Sequence, residues 1–256
     1  LTSLVLKGYR ADDGGPLDIV QTVRNPAASL PLQLMTEAGP EDRLYVLSEI
    51  AGGLRMEWSD GRGGAVVKEI RLPTQGYGID FTIATEGSVG AAMVSVGTGM
   101  RDTGETERAN RFATWGDVRV AADGELEKIK REKLDEIAVV EPRRLAFVGF
   151  EDTYFMSLMR PETAVDRVEI RRLEEEEVGE DGEGEGLRGL QGLVAPEGGE
   201  ISGQLLAAPK EYDLVHRIGG PVERMLDFGF FHPISVFFLW ALRCIHGWPA
   251  NWGLSI

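Results

Sequence analysis

Residues 54–83 read LRMEWSDGRGGAVVKEIRLPTQGYGIDFTI, and this stretch decides the fold class. Leu54, Met56 and Trp58 alternate with Arg55 and Glu57. Successive side chains of a strand point to opposite faces, so a period of two marks a half-buried strand. Ser59-Asp60-Gly61-Arg62-Gly63-Gly64 follows, a cluster that tolerates positive φ and so predicts a turn. A second apolar run covers 66–72, Pro73 interrupts it, and Tyr77, Ile79, Phe81 and Ile83 then alternate with Gly78, Asp80 and Thr82. The grammar is strand, turn, strand, turn.

Outward from this stretch the pattern continues at 89–96, 118–120, 137–140, 145–150, 154–159, 165–173 and 201–206. The 33 glycines suit a chain that must turn this often. Many short strands without long intervening helices predict packed antiparallel sheets. Two stretches resist. Across 124–134, Leu126, Ile129 and Leu134 fall near helical spacing among charges, which favours a short solvated helix, with a charged hairpin as the rival. Residues 174–200 open with four consecutive glutamates and continue through alternating acid and glycine, which predicts a mobile loop; its functional reading is an acidic partner-binding tongue.

After residue 208 the pattern changes. Pro209 suits the first turn of a helix, with Tyr212, Val215 and Ile218 on one face. Gly219-Gly220 ends it, and Pro221 starts a second short helix with Val222, Met225 and Leu226 inward. These stripes are expected to pack against the β body. The segment 234–248 is aromatic and apolar but is cut by Pro233, Arg243 and His246, whereas a membrane-spanning helix needs about 20 apolar residues. At helical spacing Ile234, Phe238, Ala241, Leu242, Ile245 and Trp248 share one half-circle, and with Phe237 they form the candidate membrane-interface set. An ordinary buried helix is the alternative. The apolar end of the chain reads as though a membrane span followed.

Composition narrows the function. Of 256 residues 43% are hydrophobic, a globular proportion, and 27 basic against 42 acidic residues give a net charge of −15. Phosphate binding needs clustered Lys and Arg, so this balance disfavours nucleic acid, and the one dense basic stretch, 128–133, is diluted by Glu132. Cys244 is the only cysteine, which excludes an intrachain disulfide, a cysteine-based zinc site and a redox pair. His216, His232 and His246 all fall in the tail without ligand spacing. Gly97-Thr98-Gly99 lacks the third glycine of a dinucleotide loop, and no Gly-x-Ser-x-Gly occurs. No catalytic, cofactor-binding or metal-binding residue is assigned. Position 1 is Leu, so any targeting segment is expected outside this chain.

Ala208-Pro209-Lys210-Glu211-Tyr212-Asp213-Leu214 resembles the GPKEYDLL segment of the YidC/Oxa-type membrane protein insertases, with Ala208 in place of Gly. Asp227-Phe228-Gly229-Phe230-Phe231, Pro233, the aromatic segment and Asn251-Trp252-Gly253 resemble that family's passage from its large periplasmic domain to its second membrane span. Leu1 to Tyr9, Gly15-Pro16-Leu17-Asp18, residues 68–83 and Asp152-Thr153-Tyr154-Phe155 are similar to earlier family motifs. The resemblance implies a mainly β fold, a β-supersandwich of two antiparallel sheets with short C-terminal α-helices, in which the charged segment around Ile129 is a hairpin.

On this reading residues 1–208 are the periplasmic sandwich, 209–229 its helical cap, and 230–256 an interfacial amphipathic helix leading to a membrane span outside the chain. The chain is expected to begin after the family's first periplasmic strand and to stop before the five-helix membrane core, so no insertase active residue is assigned. The implied function is help in inserting, folding and assembling inner-membrane proteins, alone or with the Sec translocon, from the periplasmic side of the bacterial inner membrane. The implied partners are nascent membrane proteins, the lipid interface, and SecD/SecF with the Sec translocon. The alternative is a soluble carbohydrate-binding or mutarotase-like supersandwich, whose chemistry needs a histidine and a carboxylate in the cleft. A chaperone-like module that binds extended peptides at open sheet edges is a third reading.

Overall fold

The computed structural model describes residues 1–11, 14–20, 28–89, 92–100, 116–130, 134, 136–173 and 189–226. The chain divides into two compact units, Leu1–Lys210 and Glu211–Ile256. In chain order the first unit holds β1 (Val5–Arg10), β2 (Pro16–Asp18), β3 (Leu34–Thr36), β4 (Gly39–Pro40), β5 (Val46–Ile50) and β6 (Gly53–Ser59). Then come β7 (Ala65–Arg71), β8 (Gly78–Glu86), β9 (Met93–Gly97), β10 (Asp117–Ala122), β11 (Glu125–Ile129) and β12 (Ile137–Val140). The last five strands are β13 (Leu145–Glu151), β14 (Phe155–Pro161), β15 (Val165–Arg172), β16 (Leu190–Pro196) and β17 (Glu200–Pro209).

These strands form a nine-stranded sheet, β11-β10-β13-β14-β17-β8-β7-β6-β5, a six-stranded sheet, β12-β15-β16-β9-β3-β4, and a small β1-β2 ribbon. The fold is mainly β, with antiparallel sheets and, among the described residues, only short helices, as expected. One core cluster takes Phe81, Ile83, Phe150, Met159, Ile201 and Leu205 from the larger sheet and Leu34, Val94, Val168, Ile170 and Val194 from the smaller. Apolar burial at every second position along each strand drives that face-to-face packing. The other face of β13, β14 and β17 also buries large groups, Phe147, Met156, Leu158 and Leu206. That is why these strands read as continuous apolar runs.

The stretch that opened the analysis forms β6, β7 and most of β8, each antiparallel to the next. Its turn works as the side chains predict: Asp60 Oδ1 accepts the N–H groups of Arg62 at 2.7 Å and Gly64 at 2.8 Å. Gly61 and Gly63 take φ of 67° and 102°. The early strands β1, β3 and β5 were not marked by alternation, being short or uneven in pattern.

Two sequence expectations, the extent of the acidic loop and the helix start at Pro209, are corrected, and one open choice is settled. Apolar spacing over 124–134 favours a helix, but the hairpin that the family resemblance implies is what forms: β10 and β11 pair from Val118 with Ile129 to Ala122 with Glu125. Asp123 and Gly124, with φ of 53° and 86°, make the two-residue turn, a geometry that matches strand twist. The Asp-Gly pair was the available signal, and it outweighs an apolar spacing of three. The predicted mobile loop at 174–200 is too long, because Leu190–Pro196 is a buried strand inside the six-stranded sheet. Its run Leu190, Leu193, Val194 and Ala195 belongs to the core, and the acidic composition before it masked the change; residues 174–188 lie outside the described residues. Pro209 does not start a helix. It closes β17 opposite Phe155, and the helix α1 (Tyr212–Ile218) begins after an extended Glu211.

In the second unit Gly219, at φ 66°, donates its N–H to Val215 O and ends α1. A 3-10 turn, Gly220–Met225, follows with Pro221 at its start, and Val215, Val222 and Met225 are buried.

Gly149 on β13 faces the β14 backbone so closely that a Cβ would lie 2.1 Å from Ser157 O and 2.6 Å from Leu158 Cα. Backbone atoms in a sheet centre cannot yield as a side-chain tip can. Gly149→Ala should therefore lower stability by about 3 kcal/mol, the upper part of the range for overpacking, as measured by urea denaturation.

Candidate functional site

Two buried ionic centres sit at different places in the first unit. One is at its exit. Asp152 directly follows β13, and its Oδ1 accepts the N–H groups of Tyr154 at 2.7 Å and Phe155 at 2.6 Å, so the Asp-x-Tyr-Phe motif is a turn closed by its own carboxylate. The neighbouring Glu151, 1% exposed, takes Arg119 Nε at 2.5 Å on one oxygen and Lys210 Nζ at 3.0 Å on the other. Lys210 also donates to Asp152 O at 3.1 Å, and its backbone N–H donates to Tyr154 O at 2.7 Å. Lys128, 3.9 Å from Glu151, is held by Asp117 at 2.6 Å. The Asp-x-Tyr-Phe turn and the distant Pro209-Lys210 pair thus meet in one clasp where β17 ends.

The other centre ties β7 to the β3–β4 margin. Lys68 is 5% exposed; its Nζ meets the Glu41 carboxylate and donates to Leu32 O at 3.2 Å. Glu41 also accepts the Tyr45 hydroxyl and the Leu34 N–H at 3.0 Å. Arg43 lies 3.5 Å from Glu41 and 4.7 Å above the Trp58 ring. Burial pushes the Lys68 ammonium down to about 7 and the Tyr45 hydroxyl up to about 12. Leu32 has φ 64°, a left-handed conformation that a branched side chain rarely adopts, and it turns its carbonyl to Lys68. Sequence reasoning missed this centre, because a lysine at an inward position reads as surface charge until its partner, 27 residues away, is placed.

A cavity of about 240 Å³ lies at the margin between the sheets, lined in part by Thr85, Met93, Asp166, Arg167, Pro196 and Gly199. Its carboxylate, Asp166, is paired with Arg167 at 3.7 Å. Among the described residues its lining contains no histidine beside that carboxylate. His216 instead pairs with Glu223 at 2.5 Å on the exposed side of the second unit.

The candidate interface residues Ile234, Phe237, Phe238, Ala241, Leu242, Ile245 and Trp248 all lie outside the described residues, as do 251–253. Among the described residues no helix is long and apolar enough to cross a membrane.

Comparison with known proteins adds the family. A family model described as the YidC periplasmic domain matches residues 2–241. A protein of Geobacter metallireducens named membrane protein insertase YidC is 24% identical over 279 residues, covering all of this chain and 49% of its own length. A Pelobacter propionicus protein of the same name matches to the same extent. One from Geobacter sulfurreducens is 26% identical over 209 residues, covering 79% of this chain and 38% of its own length. The chain spans about half the length of the first two relatives.

Proposed function

Because the chain belongs to the YidC periplasmic-domain family, we propose that it serves as the periplasmic part of a membrane protein insertase, assisting the insertion, folding and assembly of inner-membrane proteins. The observation that carries this reading is the family match across 2–241, which takes in the sandwich, the clasp at Lys210 and the start of the aromatic segment. The role needs no covalent chemistry from the chain. The sandwich acts as a rigid platform on the outer face of the bacterial inner membrane. The segment 230–256 lies in the interface, with Ile234, Phe237, Phe238, Ala241, Leu242, Ile245 and Trp248 toward lipid, and leads to a membrane span. Nascent membrane proteins are the substrates, and SecD/SecF and the Sec translocon are the partners. The carbohydrate reading is not favoured by the family match.

The test has two readouts. The 256-residue chain should float with vesicles of phosphatidylethanolamine and phosphatidylglycerol, and Phe238→Glu with Ile245→Glu should abolish that flotation, since two charges then enter the apolar face. Flotation that survives both changes removes the interfacial role. Grafted in place of the matched region of the Geobacter metallireducens relative, the chain should support insertion of a reporter membrane protein in proteoliposomes. A correctly folded, inactive graft counts against the insertase role.

A further inference from the structure

The two ends of the nine-stranded sheet are guarded differently. β11 reads Glu-Leu-Glu-Lys-Ile, and its charges are the usual defence of an open edge. β5 reads Val-Leu-Ser-Glu-Ile, and Val46 and Leu47 are 72% and 62% exposed, with Leu44 just before it at 92%. Among the described strands β5 pairs with β6 alone, so one side of its backbone is unpaired.

The register shows what lies beside that edge. Leu47 stands opposite Met56 and Glu49 opposite Leu54, and these stand opposite Lys68 and Ile70 on the core-facing side. Tyr45, Trp58 and Ile70 are the last residues to pack against the core cluster. The β3–β4 margin lies over β7, where Lys68 reaches Leu32 and Glu41, so the smaller sheet leaves Leu47 and Leu54 bare. They form an apolar shelf continuous with the free edge. Glu49 sits on the same side, exposed, with no partner among the described residues. On the reverse side Arg55, Glu57, Glu69 and Arg71 neutralise one another.

We propose that β5 is a docking edge for an extended segment of another polypeptide, one with apolar side chains at alternate positions and a Lys or Arg facing Glu49. Unpaired strand groups are satisfied by another strand, and the shelf accepts every second side chain. Charge decides against a second copy of this chain: each carries −15, and β5 itself has no basic residue to answer Glu49. The inference goes beyond the insertase reading and stands on the edge alone.

The probe is the acetylated, amidated peptide Val-Thr-Lys-Thr-Val-Thr-Val, labelled for fluorescence anisotropy with the 256-residue chain. The chain should bind it, and should bind the version with Glu in place of Lys about tenfold more weakly. A version with Pro at the central Thr should not bind. Leu47→Asp with Leu54→Asp should weaken binding about tenfold. Glu49→Lys, an exposed change that leaves packing intact, should reverse the preference between the Lys and Glu peptides. Absence of binding to the wild-type chain, equal binding of the proline peptide, or an unchanged preference in Glu49→Lys overturns the proposal. So does sedimentation showing a dimer that Leu47→Asp dissolves, since the occupant is then a second copy. A negative result leaves the insertase role standing, because flotation and insertion make no use of β5.

Discussion

At pH 6, where the Lys68 ammonium is protonated, Lys68→Met should cost about 3–5 kcal/mol of stability, enough to consume a large part of what a domain of this size possesses. The loss is not mainly the loss of an attraction. Methionine fills the space well, but the Glu41 carboxylate, only 4% exposed at its side chain, is left without its closest cation. Tyr45 and the Leu34 N–H still donate to it, and Arg43 at 3.5 Å answers it only in part. Adding Glu41→Gln to Lys68→Met removes the stranded charge and should restore part of the loss, so the pair of variants separates the ion pair from packing. A loss below about 1 kcal/mol in urea denaturation would mean that the pair is not closed in solution. The sign with pH is also set. Burial puts the folded pKa near 7, under the ordinary 10.5, so the folded chain holds fewer protons than the unfolded chain between those values. Stability contributed at Lys68 therefore rises with pH through that window, and Lys68→Met should lack the rise.

Glu151→Gln should cost a similar amount, about 3–5 kcal/mol, because it leaves the cations of Arg119 and Lys210 facing a neutral amide beneath the surface. The damage has an address. Lys210 is tied by its ammonium to Glu151 and by its backbone N–H to Tyr154 O, so loosening the first should expose the second. Amide exchange at Lys210 should accelerate more than at Val148 in the centre of β13, under conditions where the chain stays folded. Uniform acceleration would show that the clasp contributes global stability only.

The legible parts of the fold are those where one residue decides its own face. The alternation at Leu54, Met56 and Trp58 and the Asp60 turn could be read directly, since strand period and turn chemistry are local. The hairpin at Asp123-Gly124 was equally local, but apolar spacing at Leu126 and Ile129 competed with it, and pairing with β13 settled the outcome. At Leu190–Pro196 composition misled, because charge density is averaged over a window while a strand begins at a single residue. The ionic centres were illegible for a different reason. Glu41 and Lys68, or Glu151 and Lys210, become partners only when the sheets bring distant positions together. The tail motifs were legible as a family resemblance, because such motifs are read as whole strings and need no partner in space.

β17 is an interior strand, held along its length by β14 on one side and β8 on the other, and the chain leaves the sandwich from its end through Lys210. A pull transmitted through Lys210 is therefore borne first by that strand. From Gly203 to Leu206 that strand carries a ladder on both flanks, whereas an edge strand carries one. The exit point is in this sense a mechanical anchorage, set at the end of a strand paired on both sides.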